Sequence, residues 1–210
     1  MIGTKDQEEL FRLIADYLDR DLVCVAIGGT AMMFSGYKNA TKDIDLVFAS
    51  EGERKAFVRA IEQLGYRQRG LMDVYTQERR KKEGKPQLYA RGEERFDLFV
   101  RSVFGFPIAT KEIVERRDFL GKKELLIRIL PKEDLILLKA VTGREKDFED
   151  IEALTGSGKD VDWERVVEQA IRGKKGNEWI LLDLEQTMQR LRKKAFIPQK
   201  YFDRLYEAQE

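Results

Sequence analysis

Asp43 and Asp45 stand two residues apart in "DIDLVFA". Residues at that separation on a β-strand leave the same face, with Cα atoms roughly 6.5 to 7 Å apart, while Ile44 and Leu46 point the other way. Both carboxylates can then lean towards one hard cation, which takes oxygen ligands. Asp97 in "RFDLFV" alternates with Phe96 and Leu98 in the same manner. On a neighbouring strand it would complete a site for one or two magnesium ions. Upstream, the apolar run "LVCVAI" ends on Gly28 and Gly29, which let the backbone approach a phosphate closely. A helix starting there offers unpaired N–H groups, and Thr30 adds a hydroxyl. A metal site facing a phosphate cradle suits nucleotidyl transfer, in which one ion activates the attacking oxygen and the other steadies the triphosphate.

Each piece also has a plainer meaning. A lone D-x-D in a highly charged chain reads as a solvated strand face, and a lone Gly-Gly at a strand end reads as a turn. Their order carries the chemistry: strand, Gly-Gly-Thr, short helix, aspartate pair on a second strand, third aspartate on a later one.

The elements that must hold these residues follow from periodicity. A first helix is expected over 5–19, with Leu10, Leu13, Ile14, Tyr17 and Leu18 on its core face. "DLVCVAIGG" reads as a buried strand, and Thr30 to Gly36 as a short helix capped by Thr30. A helix over 51–64 stops at Gly65, and "LMDVYTQ", "PQLYARG" and "ERFDLFVR" read as an antiparallel meander. A short helix near 110–117 and a hairpin around Gly121 close this part. Pro131 then opens a helix ending at Gly143, and "REKDFEDIEAL" and three further helical stretches follow. The fold class expected is α+β: a mixed sheet flanked by helices over residues 1–130, followed by a helical domain over 131–210.

Composition narrows the chemistry. With 39 Lys and Arg against 38 Asp and Glu, no global field draws the chain to nucleic acid or to a membrane. Histidine is absent, which removes Ser-His-Asp catalysis, His-ligated zinc and imidazole acid–base chemistry. Carboxylates, lysines, arginines and bound metal must therefore carry any reaction. The single cysteine, Cys24, lies in an apolar strand and reads as a buried small hydrophobe. The start of the chain is acidic and amphipathic, no apolar run reaches about 18 residues, and the expectation is a cytoplasmic protein with no membrane partner. Abundant Lys, Glu and Arg also fit a thermophilic source.

"GGTAMMFSGYKNATKDIDLVF" resembles the signature of the DNA polymerase β-type nucleotidyltransferase superfamily, in which a glycine-rich turn precedes a D-x-D pair and a third aspartate follows. The "TKDIDL" form and the later "LPKEDLILLKAVTGREKDFEDIEAL" resemble its AbiEii-like branch, which includes toxins of toxin–antitoxin pairs. The resemblance covers roughly residues 20–155. It implies a nucleotidyltransferase-fold sheet whose helical C-terminal domain completes the nucleotide cleft. It makes Asp43, Asp45 and Asp97 the ligands of Mg2+ or Mn2+, with Asp97 positioning or deprotonating the acceptor. It assigns Gly28, Gly29, Thr30, Lys42, Lys139 and Asp150, with Asp147 as the alternative to Asp150, to nucleotide binding. The partners implied are an NTP, an RNA or tRNA end or a protein hydroxyl as acceptor, and a cognate antitoxin. The superfamily commonly has Gly-Ser where this chain has Gly-Gly-Thr, a form that occurs in the branch. Two other functions share these residues: a nucleotide-binding module of the same fold with little turnover, and a D-x-D glycosyltransferase, which needs a larger parallel domain. Three unpaired like charges weigh against the first of these.

Lys139 sits among Leu135, Ile136, Leu138 and Val141, where a buried amine needs an anion: a triphosphate, or an acid of its own helices, unless the stem carries it out to solvent. Arg144, Lys146, Asp147 and Asp150 also read as a surface charge lattice. "RRKK" at 79–82, with Arg67, Arg69, Lys85 and Arg91 near it, and "RLRKK" at 190–194 could grip an RNA backbone, or could be a solvated hairpin tip and helix end. Tyr66, Tyr75 and Tyr89 could stack on a base or pack.

Overall fold

The computed structural model describes residues 1–70, 85–156 and 160–210. The chain forms two compact units, Met1–Leu130 and Pro131–Glu210. The first runs β1 (Ile2–Gly3), α1 (Thr4–Tyr17), β2 (Leu22–Ala26), α2 (Gly28–Phe34), β3 (Ala40–Thr41), β4 (Asp43–Phe48) and α3 (Glu51–Gln63). It continues with β5 (Arg67–Arg69), β6 (Gln87–Arg91), β7 (Glu94–Val100), β8 (Ser102–Val103), β9 (Phe106–Pro107), β10 (Arg116–Leu120) and β11 (Glu124–Ile129). The main sheet has the order β10-β11-β2-β4-β7-β6-β5. It is mixed: β4 pairs antiparallel with β2 and parallel with β7, and β11 runs parallel to β2.

That mixture follows from the connections. A short link suffices between the antiparallel β2 and β4, whereas a parallel β4–β7 pair needs a crossover, which α3 supplies. Of the expected meander, "PQLYARG" and "ERFDLFVR" form the antiparallel β6–β7 pair, with β7 set directly beside β4, and the strand that pairs with the outer side of β6 is β5, at Arg67–Arg69. "LMDVYTQ", Tyr75 and "RRKK" at 79–82 lie outside the described residues.

Alternation along β4 and β7 decides which face is apolar. Phe57 of α3 packs against Phe48 and Phe96, with ring centroids 5.3 and 5.5 Å apart, so the even-numbered residues of both strands face that helix. Asp43, Asp45 and Asp97 consequently leave the opposite face. The helix α3 is fixed at its start by a capping box in which Ser50 accepts from the Glu53 N–H and Glu53 accepts from the Ser50 N–H. Phe11 of α1, Phe34 of α2 and Phe119 of β10 form a three-ring cluster that anchors the short α2. Burying each such ring stabilises by about 1.5–3 kcal/mol.

Three local expectations change. The buried side of α1 is Gln7, Leu10, Phe11, Ile14 and Ala15, while Leu13 and Tyr17 are each 41% exposed. Two adjacent rows of the helix face the sheet, and the Leu13–Tyr17 row falls on their flank. The helix expected over 110–117 is not formed: residues 109–112 make tight turns, and Arg116–Leu120 pair with β11 as one arm of the Gly121 hairpin. The ladder to β11 satisfies backbone groups that an isolated two-turn helix would leave open. Helix α2 starts at Gly28 with Ile27 as its cap, so Thr30 lies inside it.

Among the described residues the second unit is helical: α4 (Lys132–Thr142), α5 (Glu145–Thr155), α6 (Trp163–Gly173), α7 (Ile180–Leu191) and α8 (Gln199–Gln209). Residues Asp134 to Val141 of α4 are all buried, the pattern of a central helix enclosed by its neighbours. Pro131 precedes it, acids occupy its first turn, and Gly143 ends it at φ 62° with an N–H to the Lys139 carbonyl. No helix of the described residues is long and apolar enough to cross a membrane.

Candidate active site

The D-x-D pair sits at the start of β4. Its parallel register with β7 sets Asp45 directly opposite Asp97 and Asp43 directly opposite Arg95. Asp97 is 2% exposed, and Asp43 and Asp45 are half-buried. The apolar residues that alternate with the pair, Ile44 and Leu46, are fully buried on the far face and hold the strand in place.

The glycine turn is built against this pair. The Ile27 N–H donates to the Asp45 carbonyl at 3.1 Å. Gly28 has φ +55°, and a β-carbon there would lie 2.5 Å from Asp45 Oδ2. Glycine is therefore required twice at this position, for backbone conformation and for room. A β-carbon on Gly29 would meet the Thr41 side chain, whose hydroxyl donates to the Asp43 carbonyl at 3.1 Å.

Thr30 takes a different role from the phosphate-facing one expected. It is fully buried, and its hydroxyl accepts from the Asp45 N–H at 3.3 Å and from the Gln7 side chain at 3.5 Å. Inside α2 its side chain turns inward and ties the helix to the strand that carries the aspartates. Lys42, between β3 and β4, is exposed.

Arg95 was not among the residues singled out, although it shares a face with Asp97 by the same period-2 rule. Its guanidinium lies 2.6 Å from Asp43 Oδ2 and, through Nε, 2.8 Å from Asp97 Oδ1. Among the described residues no cluster of three or more acids stands as a ready metal cage. The donor set nonetheless suits a hard divalent ion. Asp43 Oδ1 is buried with no hydrogen-bond partner, an acceptor that a cation would satisfy.

In the helical unit, Lys139 Nζ donates to Asp150 Oδ2 at 2.6 Å and lies 3.5 Å from Asp147 Oδ1. The anionic partner of this buried amine is thus supplied by α5. Asp147 also accepts from the Thr142 hydroxyl and from Arg144 Nε. Burial raises the Asp147 pKa, but hydrogen bonds from Arg144 and Thr142, with the charge of Lys139, outweigh it and hold the carboxyl below its usual range. A hollow of about 180 Å³ borders Lys139, Arg144, Phe148, Asp183, Thr187 and Arg190.

Several of the remaining basic and aromatic candidates have partners within the fold. In "RLRKK", Arg190 pairs with Glu145 and stacks 3.6 Å over Phe148, Arg192 lies over Phe202, and Lys194 pairs with Glu152. Arg91 pairs with Glu94. Tyr66 is fully buried, donates to Glu94 at 2.6 Å and packs edge-on against Phe96, and Tyr89 is 5% exposed. Both tyrosines pack rather than present a ring to a base. Cys24 is buried, and burial pushes its thiol up from the ordinary range.

A mixed sheet with a D-x-D strand, an in-register third aspartate and a glycine turn closed on them is the arrangement expected of a nucleotidyltransferase. Residues 6–199 match the model of the family described as nucleotidyltransferase of unknown function (DUF6036), and the chain belongs to that family. The match extends through most of residues 156–210. No curated protein matches the chain. Among solved structures it is similar to ANT(2")-Ia in complex with adenylyl-2"-tobramycin, at 16% identity over 88% of this chain and 98% of that one, with a TM-score of 0.46.

Proposed function

We propose that this chain is a divalent-metal-dependent nucleotidyltransferase that moves an NMP from an NTP to an acceptor hydroxyl. The observation that carries this reading is the β4–β7 register, which sets Asp45 against Asp97 with Asp43 on the same face, in a member of a nucleotidyltransferase family. Asp43, Asp45 and Asp97 would hold Mg2+ or Mn2+, which when bound supplies charge neutralisation for the triphosphate. Gly28 and Gly29 let the turn close tightly on Asp45 and Thr41, and their backbone is proposed to be what the phosphate chain approaches. Lys42 completes the nucleotide set proposed in the first unit, and Lys139 with Asp150 in the helical unit is the pair that the resemblance assigns to nucleotide binding. In the reaction the acceptor oxygen bonds to the α-phosphorus as the bond to the β-phosphate oxygen breaks, and pyrophosphate leaves. The acceptor's proton passes to a carboxylate, for which Asp97 is the residue proposed, because no imidazole exists in this chain. An RNA or tRNA end or a protein hydroxyl is the acceptor proposed, with the toxin role and cognate antitoxin of the AbiEii-like branch as its biological setting.

One observation favours a second reading, a nucleotide-binding module with little turnover. Arg95 already pairs with Asp43 and Asp97 and offsets part of their charge, so the aspartates can stand together without metal, and their presence alone does not demand turnover. A glycosyltransferase is disfavoured by the antiparallel β2–β4 pair, which a parallel Rossmann sheet lacks. Incubating the protein with each α-labelled NTP, Mg2+ or Mn2+ and total RNA, beside Asp43→Asn, separates the two remaining readings. Label in RNA or protein that depends on Asp43 supports transfer. Metal-dependent NTP binding without label supports the module.

A further inference from the structure

Arg95 stands directly across the sheet from Asp43 and two residues before Asp97. It contacts both carboxylates at 2.6 and 2.8 Å, and its Nη2 lies 3.4 Å from the second oxygen of Asp97. A planar guanidinium can hold two carboxylates at once, which a lysine ammonium does less well. Asp97 is almost wholly buried and needs a countercharge, whereas the Arg95 side chain is 21% exposed and borders solvent. One cation is thus tethered to the oxygens that a divalent ion would also seek.

We propose that Arg95 is a positioning residue that competes with the divalent ion for Asp43 and Asp97 and thereby sets the metal affinity of the site. The inference rests on the proposed reading of these aspartates as metal ligands. Two cations within a few ångströms of each other repel, and the ion gains Asp43 Oδ2 and Asp97 Oδ1 only as the guanidinium yields them. In the absence of the ion Arg95 keeps the carboxylates in register and relieves their mutual repulsion.

The test is a Mn2+ titration of the full chain, followed by the paramagnetic signal of the unbound ion, for wild type and Arg95→Met, each with and without Asp45→Asn. Arg95→Met is expected to bind Mn2+ more tightly, on the order of tenfold, and to melt at a lower temperature than wild type in chelator. Asp45→Asn is expected to weaken binding in both backgrounds. Equal or weaker binding by folded Arg95→Met, with the Asp45 dependence intact, overturns the role of Arg95 and leaves the metal reading standing. Binding that does not depend on Asp45 in either background overturns the metal reading and the Arg95 role with it. A second measurement follows wild-type protein, with Arg95→Lys used to assign the signal. The Arg95 Nε–H resonance is expected to shift and to exchange faster with solvent as Mg2+ is added. A resonance unmoved at saturating Mg2+ overturns the proposal.

Discussion

A β-carbon on Gly28 would lie 2.5 Å from Oδ2 of Asp45, so the turn after β2 and the carboxylate on β4 occupy adjoining space with none to spare. Gly28→Ala therefore meets both an unfavourable φ of +55° and a clash with the carboxylate. It is expected to lower stability by about 1–3 kcal/mol and to weaken Mn2+ binding. Gly36→Ala is the control, because Gly36 has φ +79° and nothing within 4 Å of its would-be β-carbon. Urea unfolding of both variants separates backbone strain from the clash: the control is expected to lose stability while keeping the wild-type Mn2+ affinity.

Thr30→Val keeps the shape of the side chain but removes the acceptor for the Asp45 N–H and the Gln7 amide. Leaving these donors unsatisfied is expected to cost about 1–3 kcal/mol. Thr30→Ser retains the hydroxyl and is expected to lose less. Denaturant midpoints of the two variants check this, and equal losses would show that methyl packing rather than the hydroxyl matters.

Lys139, Asp147 and Asp150 form a buried charge cluster in the helical unit. Lys139→Met leaves Asp150 without its 2.6 Å partner and is expected to destabilise the chain by about 3–5 kcal/mol. Adding Asp150→Leu to the same chain is expected to recover a large part of that loss. Chemical denaturation of the four members of this double-mutant cycle gives the coupling directly.

The Asp147 carboxyl is held below its ordinary range in the folded chain, so folding favours its ionised form. Above the unfolded value of about 3.9 that stabilisation is fully present; it is lost as pH falls towards the folded value, because the unfolded chain takes up the proton first. Asp147→Asn is expected to be less stable than wild type at neutral pH, and the gap is expected to narrow below about pH 4. Thermal melts across pH 2.5–7 of both chains, roughly the window of carboxylate titration, measure it. A gap independent of pH would contradict the assignment.

Much of this was legible in residue order, because the relevant signals are local. Period-2 alternation puts Asp43 and Asp45 on one face, and Pro131 and Gly143 punctuate α4 through proline's fixed φ and glycine's left-handed cap. What stayed hidden depends on contacts between distant segments. The parallel pairing of β7 with β4 is set by the α3 crossover, and the register that brings Asp97 to Asp45 cannot be read from either strand alone. The inward turn of Thr30 depends on Gln7 and Asp45, which lie far from it in sequence. Arg95 was within reach of the alternation rule, since it precedes Asp97 by two residues. An arginine marks no metal site by its own type, so the cation that pairs with these acids stands out only once the strand register is known.

The most direct test of the proposed activity is transfer of label from each α-labelled NTP to RNA or protein, with Mg2+ or Mn2+, by wild type and Asp43→Asn. Label that wild type transfers and a folded Asp43→Asn chain does not is the result predicted. Undiminished transfer by Asp43→Asn would contradict the role given to the D-x-D pair.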